Sequence, residues 1–366
     1  MENISSLLIT IILLGVLVIA HEFGHFIIAK KNGIWVQEFA VGMGPKIFSR
    51  TKGDTEYSIR ILPLGGFCRM EGEAEDGASS STSFLSKSVG ARMAVMAAGP
   101  VMNFLLAFLM IFGLTCTTYT ATPVIKEVLP DSAAAASGLE VGDRIQKIDG
   151  KTIHIYDELQ YTLQSNHGES LTLDVVDATG THHKYKLQPK LDEKQGRYLI
   201  GFSPEVKTGL FAESVDGYAK MGIAETARYS LFAMINYVKM TAEGLLRVFT
   251  FTANPDEYGG PIAIFNMVGQ SYQAGLQYSI KAAIQNVVYI GAVLSANLGV
   301  LNLFPIPALD GGRILFLLIE AVRRKPMDIE TESKLQFLGF VFLMGLMAFV
   351  IFSDIKKYMI YMKRNA

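Results

Sequence analysis

Charge is scarce in this chain. Of its 366 residues only 18 % are Asp, Glu, Lys or Arg, against roughly 25 % in an ordinary soluble protein. An excess of one sign is missing too. The 33 basic and 34 acidic residues leave a net charge of −1, so nothing electrostatic points to a nucleic-acid partner. Cysteine is nearly absent: Cys68 and Cys116 are the two present, and the latter sits in an apolar run. A disulfide framework is therefore not expected. The first apolar segment lacks a basic start, having only Glu2, and no small-residue cleavage site precedes its end. It does not read as a signal peptide. What replaces charge is hydrophobic sequence, half of all residues, with a mean hydropathy of +0.30. That composition describes a membrane protein carrying some soluble mass.

The run Ile4–Ala20 is uncharged, and as a helix rising about 1.5 Å per residue it covers roughly 25 Å of a bilayer. His21, Glu22 and His25 follow while the sequence is still apolar. Ionisable side chains at that depth are costly and are kept for use. Residues four apart share a helix face, so His21 and His25 can aim imidazole nitrogens at one ion. Glu22 lies beside them, placed to act on water there. The motif is HExxH, written into a transmembrane segment. A buried histidine alone is more often a hydrogen-bonded core residue, but two histidines and a glutamate in lipid need partners, and a cation is one.

Lys30 and Lys31 read as a cytoplasmic flank. Residues 34–70 mix aromatic and β-branched runs with Gly and Pro, which predicts short strands and turns. EGEAEDGASSSTS, residues 71–83, is acidic and then Gly/Ser-rich and is expected to be a mobile loop. A second span runs from Ala91 to about Leu114. Within it AAGPVMN carries Pro100 and Asn103, residues expected to face protein rather than lipid.

Residues 119–205 turn charged and alternating. PVIKEVLPDSAAAASGLEVGDRIQKIDGKTI, then YDELQYTLQSN and LTLDVV, predict strand, turn, strand, helix and strand, similar to a PDZ domain. GRYLIGFSP resembles the strand and loop with which such domains capture an extended peptide or a carboxyl terminus. His154, His167, His182 and His183 lie here. Their spacing does not suit a second metal site, and adjacent strand residues such as His182 and His183 point to opposite faces.

Residues 221–252 could pass for a span on hydropathy. Asn236, Lys239, Glu243 and Arg247 instead fall on one side of a helix, predicting an amphipathic surface helix. A third span, Ala282–Phe304, ends in NLFPIPALDGGRI, where Pro305 and Pro307 break the helix. A fourth covers Leu335–Phe352. Parity then places the domain at 119–205 outside and returns Asp310 to the side of the histidines, where it can complete a site of two His and one carboxylate. A span at 231–251 would put Asp310 on the wrong side. Positive charge agrees at Lys30, Lys31 and Arg323–Lys325 and disagrees at the C-terminal tail.

Taken together, HEFGH, the GMGP and PLGG turns, AGPVMN, one PDZ-like domain and PIPALDGG occur in the order found in the bacterial site-2 proteases. The chain resembles these intramembrane zinc metalloproteases along nearly its whole length. The resemblance implies a polytopic α-helical membrane protein with four transmembrane helices, a membrane-associated β-rich loop and an inserted extracytoplasmic α+β PDZ domain. It implies Zn2+ held by His21, His25 and Asp310, Glu22 as the catalytic glutamate, and Asn302 as a substrate-holding residue. Expected boundaries are 1–118 for the N-terminal membrane half, 119–205 for the PDZ domain, 206–260 for the surface-helix linker and 261–366 for the C-terminal membrane half.

The expected partners are the lipid bilayer and single-pass transmembrane substrates, cut in a bacterial cell membrane after an earlier ectodomain cleavage; nucleic acid is not among them. A transmembrane helix hides its carbonyls in its own hydrogen bonds, so a substrate must be unwound. Thr55–Leu62 is expected to offer a strand edge that pairs with it. The PDZ-like domain, about 25 Å across, is expected to gate access by bulk or by docking a trimmed end. Two rivals are an ion-handling membrane protein and a PDZ-bearing membrane adaptor. The first would spread polar residues along several spans; the second need not keep all four chemical residues.

Overall fold

The computed structural model describes residues 2–73, 80–166, 168–192, 197–250, 252 and 259–365. In chain order its elements are α1 (Glu2–Lys31), β1 (Val36–Lys52), β2 (Thr55–Met70), α2 (Val89–Thr117), β3 (Tyr119–Val128), α3 (Ala133–Ser137), β4 (Arg144–Ile148), β5 (Lys151–Thr152) and α4 (Tyr156–Gln164). They continue as β6 (Leu171–Val176), β7 (His182–Leu187), β8 (Lys190–Asp192), β9 (Arg197–Leu199), β10 (Phe202–Thr208), α5 (Ile223–Phe249), α6 (Pro261–Leu276), α7 (Ile280–Leu303), α8 (Asp310–Arg323) and α9 (Ile329–Asn365). Two units result, one of residues 1–110 and 238–366 and the other of residues 111–237.

Among the described residues four helices are long and apolar enough to cross a membrane: Ile4–Lys31, Val89–Thr117, Ile280–Leu303 and Glu330–Lys357. Their outward faces are aliphatic, with Ile4, Ile12, Leu105, Leu109 and most of α9 exposed. With no water to satisfy backbone groups, helices that bond internally suit that setting. Where helices must approach closely the sequence supplies glycine. A Cβ on Gly24 would lie 2.3 Å from Ala98 O, pinning α1 to α2, and one on Gly275 would lie 2.4 Å from Ala283 Cα, closing the turn between α6 and α7. Asp354, buried near the end of α9, accepts from Gly260 N and Ala263 N and so caps α6.

β1 and β2 are longer than the short strands expected, and both bend back. Gly42 and Gly65, at φ 88° and 84°, allow the reversals that a side chain would strain. Phe39 pairs with Cys68 on one side and Tyr57 on the other, and Tyr57 pairs again with Arg50. The result is a four-rung sheet in the order 66–70, 36–41, 55–59, 46–52. This corrects the expectation for Thr55–Leu62: Glu56–Ile59 is bonded on both sides and offers no edge. Among the described residues the sheet's two outer rows, Gly66–Met70 and Lys46–Lys52, are the free edges. Ile47, Phe48, Ile59, Ile61 and Leu62 are exposed, apolar surface that suits a sheet set in lipid. Of the acidic loop expected at 71–83, residues 74–79 lie outside the described residues. Ser80 and Thr82 beside them bond to Glu71.

The second unit contains an antiparallel sheet in the order β10-β3-β4-β6-β7, with β5 beside β4. Its core joins Ile145, Ile148, Leu159, Leu173 and Val175, the inward-facing half of each alternating strand. It is the sheet of the PDZ-like domain expected over residues 119–205. β10 stands at the sheet edge, and Gly201 beside it leaves room for Ser132, whose Cβ would lie 2.2 Å from a Cβ there. His154 stacks on Phe232 of α5 at 3.8 Å, and Tyr229 Oη donates to Asp157 Oδ2 at 2.9 Å. His183 Nε2 sits 2.9 Å from Asp177 Oδ2; His167 lies outside the described residues.

α5 is not among the four apolar helices, yet it differs from the surface helix expected. Lys239, Glu243 and Arg247 are exposed, but Asn236 is buried, as are Thr226 and Ser230, while Leu231 and Leu246 face out. A polar stripe is visible in sequence, but not which medium it meets. Here part of it turns inward, where hydroxyl and amide groups find protein partners, as Thr241 does in donating to Asn297 of α7.

Candidate metal centre

Three elements build the site. α1 supplies His21 and His25 one turn apart, and α8 opens on Asp310 directly after the turn that ends α7. The turn is tight because Gly311 and Gly312 have no side chains. A Cβ at either would lie 2.2–2.3 Å from the carbonyl oxygens of Leu303 and Ile306. Asp310 Oδ2 reaches 3.1 Å from His21 Nε2 and 3.4 Å from His25 Nε2, and the two Nε2 atoms are 3.1 Å apart.

These distances test whether an ion fits. Ligands about 2.0–2.2 Å from a tetrahedral zinc lie about 3.3 Å from one another, which is the spacing seen. Asp310 Oδ2 is buried without a hydrogen-bond donor, the condition of an atom whose partner is a cation. Among the described residues no other group of three His, Cys, Asp or Glu converges this way.

α2 shapes the pocket for the rings. A Cβ on Gly99 would fall 2.3 Å from His25 Nε2 and 2.8 Å from His21 Nε2. His25 Nδ1 lies 2.8 Å from Val95 O, so Nδ1 carries the proton and Nε2 is left free to bind. Asn103 is fully buried, with its carboxamide 3.3 Å from His21 Nδ1 and its Oδ1 without a partner. Turned to accept the Nδ1 proton, Oδ1 would be satisfied and would free His21 Nε2 in the same way. Ser295 donates to Asn103 O at 2.7 Å, fastening α2 to α7.

Glu22 and the three converging residues line a cavity of about 610 Å3. The free edge 66–70 forms part of its wall through Phe67, Cys68, Arg69 and Met70, and a Cβ on Gly66 would lie 3.7 Å from Glu22 Cγ. Burial, with the charges of Glu22 and Glu73 adding to it, pushes the Cys68 thiol well up. The thiol is not among the ligand atoms that converge, which are those of His21, His25 and Asp310. Arg313 pairs with Glu73 at the cavity, and Arg92 grips Glu320 through both guanidinium nitrogens, tying α2 to α8. Asn302, in the last turn of α7, is half-buried and does not line the cavity.

The model of peptidase family M50 matches residues 9–346. The chain belongs to peptidase family M50. A Clostridium perfringens protein named as a candidate zinc metalloprotease is 38 % identical over 93 % of this chain and 95 % of its own length. The zinc metalloprotease RasP of Geobacillus kaustophilus is 32 % identical over 98 % of this chain and 99 % of its own. The regulator of sigma-W protease RasP of Bacillus subtilis is 30 % identical over 97 % and 99 %. Among solved structures, the PDZ domain of an SdrC-like protein from Listeria monocytogenes aligns with 23 % of this chain and 87 % of that domain. Its identity is 21 % and its TM-score 0.21.

This M50 peptidase is thus a multi-pass membrane protein and a zinc-dependent intramembrane endopeptidase. Asn103, Gly99 and the edge 66–70 were not singled out for the site from sequence. AGPVMN, with a proline and an asparagine inside an apolar run, was the one signal pointing to α2.

Proposed function

We propose that His21, His25 and Asp310 hold the zinc, that Glu22 is the general base, and that the chain cuts single-pass membrane proteins as the second step of regulated intramembrane proteolysis. The observation that carries this is the meeting of HExxH and Asp310, from opposite ends of the chain, in one cavity with Glu22 and an unpaired strand edge.

Bound there, zinc supplies Lewis-acid activation of water and of the scissile carbonyl. The chain's residues do the rest. The Glu22 carboxylate takes a proton from the attacking water and passes it to the leaving amide nitrogen. Val95 O and Asn103 hold the imidazole tautomers. An unwound substrate segment adds as a strand to Gly66–Met70, which places its backbone beside Glu22. Asn302 serves the substrate from outside the cavity wall as described.

The division 1–118, 119–205, 206–260 and 261–366 is proposed as the functional one. The zinc faces the cytoplasmic side of a bacterial cell membrane and the PDZ domain lies outside. The PDZ domain admits substrates already trimmed by another protease, by bulk or by docking a new C-terminus along β10 near Tyr198–Phe202. The name of the Bacillus subtilis relative, a regulator of sigma-W, supports anti-sigma factors as one substrate class, with signal-peptide remnants as another.

Glu22→Gln tests the assignment. It removes the base and no ligand, so the purified variant should keep stoichiometric zinc and lose cleavage of a reconstituted single-pass substrate. Cleavage near the parent rate would overturn the role of Glu22.

A further inference from the structure

One polar group at the cavity remains unexplained by this chemistry. Gln336 belongs to α9, whose neighbouring residues are largely exposed and apolar. Its Oε1 accepts from Ala308 N at 2.5 Å. That bond fixes the carboxamide orientation, because only the oxygen can accept from an N–H. Ala308, at φ 77°, occupies the left-handed region that a non-glycine residue enters only when held. α9 is held close to the same turn at Gly339, where a Cβ would lie 2.2 Å from Pro307 O. Gln336 is therefore seated firmly against Ala308, two residues before Asp310. Its Nε2 is buried and has no acceptor in the protein.

A buried amide donor without an acceptor is costly, and a group left so in a native fold calls for a water, an ion or a ligand to complete it. The cavity shows what the ligand must offer. A strand that pairs with the edge 66–70 satisfies the carbonyls on one of its sides; those on its other side point away from the edge and toward the rest of the cavity lining, which includes Gln336. The other cationic side chains lining the cavity each lie against a group of the protein. Arg313 pairs with Glu73, and Arg69 Nη2 is 3.7 Å from Glu38 while its guanidinium lies over the Phe67 ring. The imidazoles face Asp310.

We infer that Gln336 Nε2 donates to a main-chain carbonyl of the unwound substrate flanking the scissile bond, making Gln336 a substrate-contacting residue on the fourth span. This rests on the intramembrane cleavage proposed above. It gives α9 a part in selecting substrates by whether they unwind, since a helical carbonyl is already bonded within its own helix.

The test pairs kinetics with mapping in the full-length protein. Gln336→Met removes donor and acceptor; Gln336→Glu keeps an acceptor for Ala308 N and removes the donor. Both should lower kcat/KM on a reconstituted single-pass substrate 10- to 100-fold while zinc per chain stays at the parent value. In a Glu22→Gln protein with Gln336 intact, a substrate bearing photo-leucine beside the cleaved bond should attach to residues 333–340. A Gln336→Glu variant at the parent rate would reduce Gln336 to a prop for Ala308 and overturn the inference. Zinc lost in step with activity, or adducts confined to other segments, would overturn it too. If the parent itself fails to cleave, the proposed function fails and not this contact alone.

Discussion

Gly99→Ala is the smallest change that should empty the metal centre. The added methyl carbon would stand 2.3 Å from His25 Nε2, 2.6 Å from His21 Cε1 and 2.8 Å from His21 Nε2. Ordinary contacts of that kind are near 3.5–4.0 Å, so the rings or the helix must give by about 1 Å. Neither is free to do so. His25 is tied to Val95 O, His21 meets Asn103, and α1 abuts α2 through Gly24 against Ala98 O. Ligands displaced by that much should lose metal affinity by at least the 10- to 100-fold typical of losing an outer-shell partner, or about 1.4–2.8 kcal/mol. The opposing term is helix propensity, which favours Ala over Gly by up to about 1 kcal/mol, so the clash wins. Gly90→Ala is the matched control, since it lies in the same helix with nothing within 4 Å of the new carbon. Titrating the two purified variants with zinc against a competing chelator, and measuring thermal stability in detergent, separates the effects. Gly90→Ala should bind as the parent does and melt no lower. A Gly99→Ala protein with the parent's zinc affinity would refute the placement of α2 over the histidines.

Asp310→Ala should lower zinc occupancy at limiting metal and activity together, because it removes a ligand rather than the base; full retention of zinc would sink the two-His, one-Asp site. Excising Thr120–Lys207 with a short Gly-Ser join is geometrically mild, since Tyr119 and Thr208 are cross-strand partners. If the PDZ domain excludes bulk, untrimmed substrates should then be cut; if it docks trimmed ends, those should be cut more slowly, and unchanged rates on both forms would rule out either role. In the PDZ domain, hydrogen bonds from Thr179 and then His183 hold the Asp177 carboxyl well below its ordinary 3.8. A depressed folded pKa contributes stability above the unfolded value that is lost as pH falls through the folded one. Exchange protection of residues 171–187 should therefore decline in acid more steeply in the parent than in Asp177→Asn, and parallel profiles would contradict it.

The candidate site was legible where its chemistry is local. HExxH declares itself by helical spacing inside an uncharged run, and Asp310 by the break at Pro305 and Pro307. Span parity alone brought these two segments to one side. What remained hidden depends on how helices are rotated against one another. Nothing in the sequence says that Gly99 faces two imidazoles, that Asn103 reaches His21, or that Gln336 turns toward Ala308 rather than lipid. The β-rich segment was read as strands correctly, but its edge was misplaced, because pairing of Phe39 with both Cys68 and Tyr57 is a long-range property that no local period encodes. The inward turn of Asn236 was missed for a related reason: periodicity finds a stripe, whereas burial depends on what covers it.

The division of the proposed zinc ligands between α1 and α8 also bears on biosynthesis. The histidines leave the ribosome early, and Asp310 emerges nearly three hundred residues later; at about 5–20 residues per second that is a lag of roughly 15–60 s. Throughout it the nascent chain holds the base and two ligands in the membrane without the third. A peptidase assembled in this order is inert while it is being threaded into the bilayer beside other unfolded transmembrane segments, and it becomes competent only once its own third span has been placed.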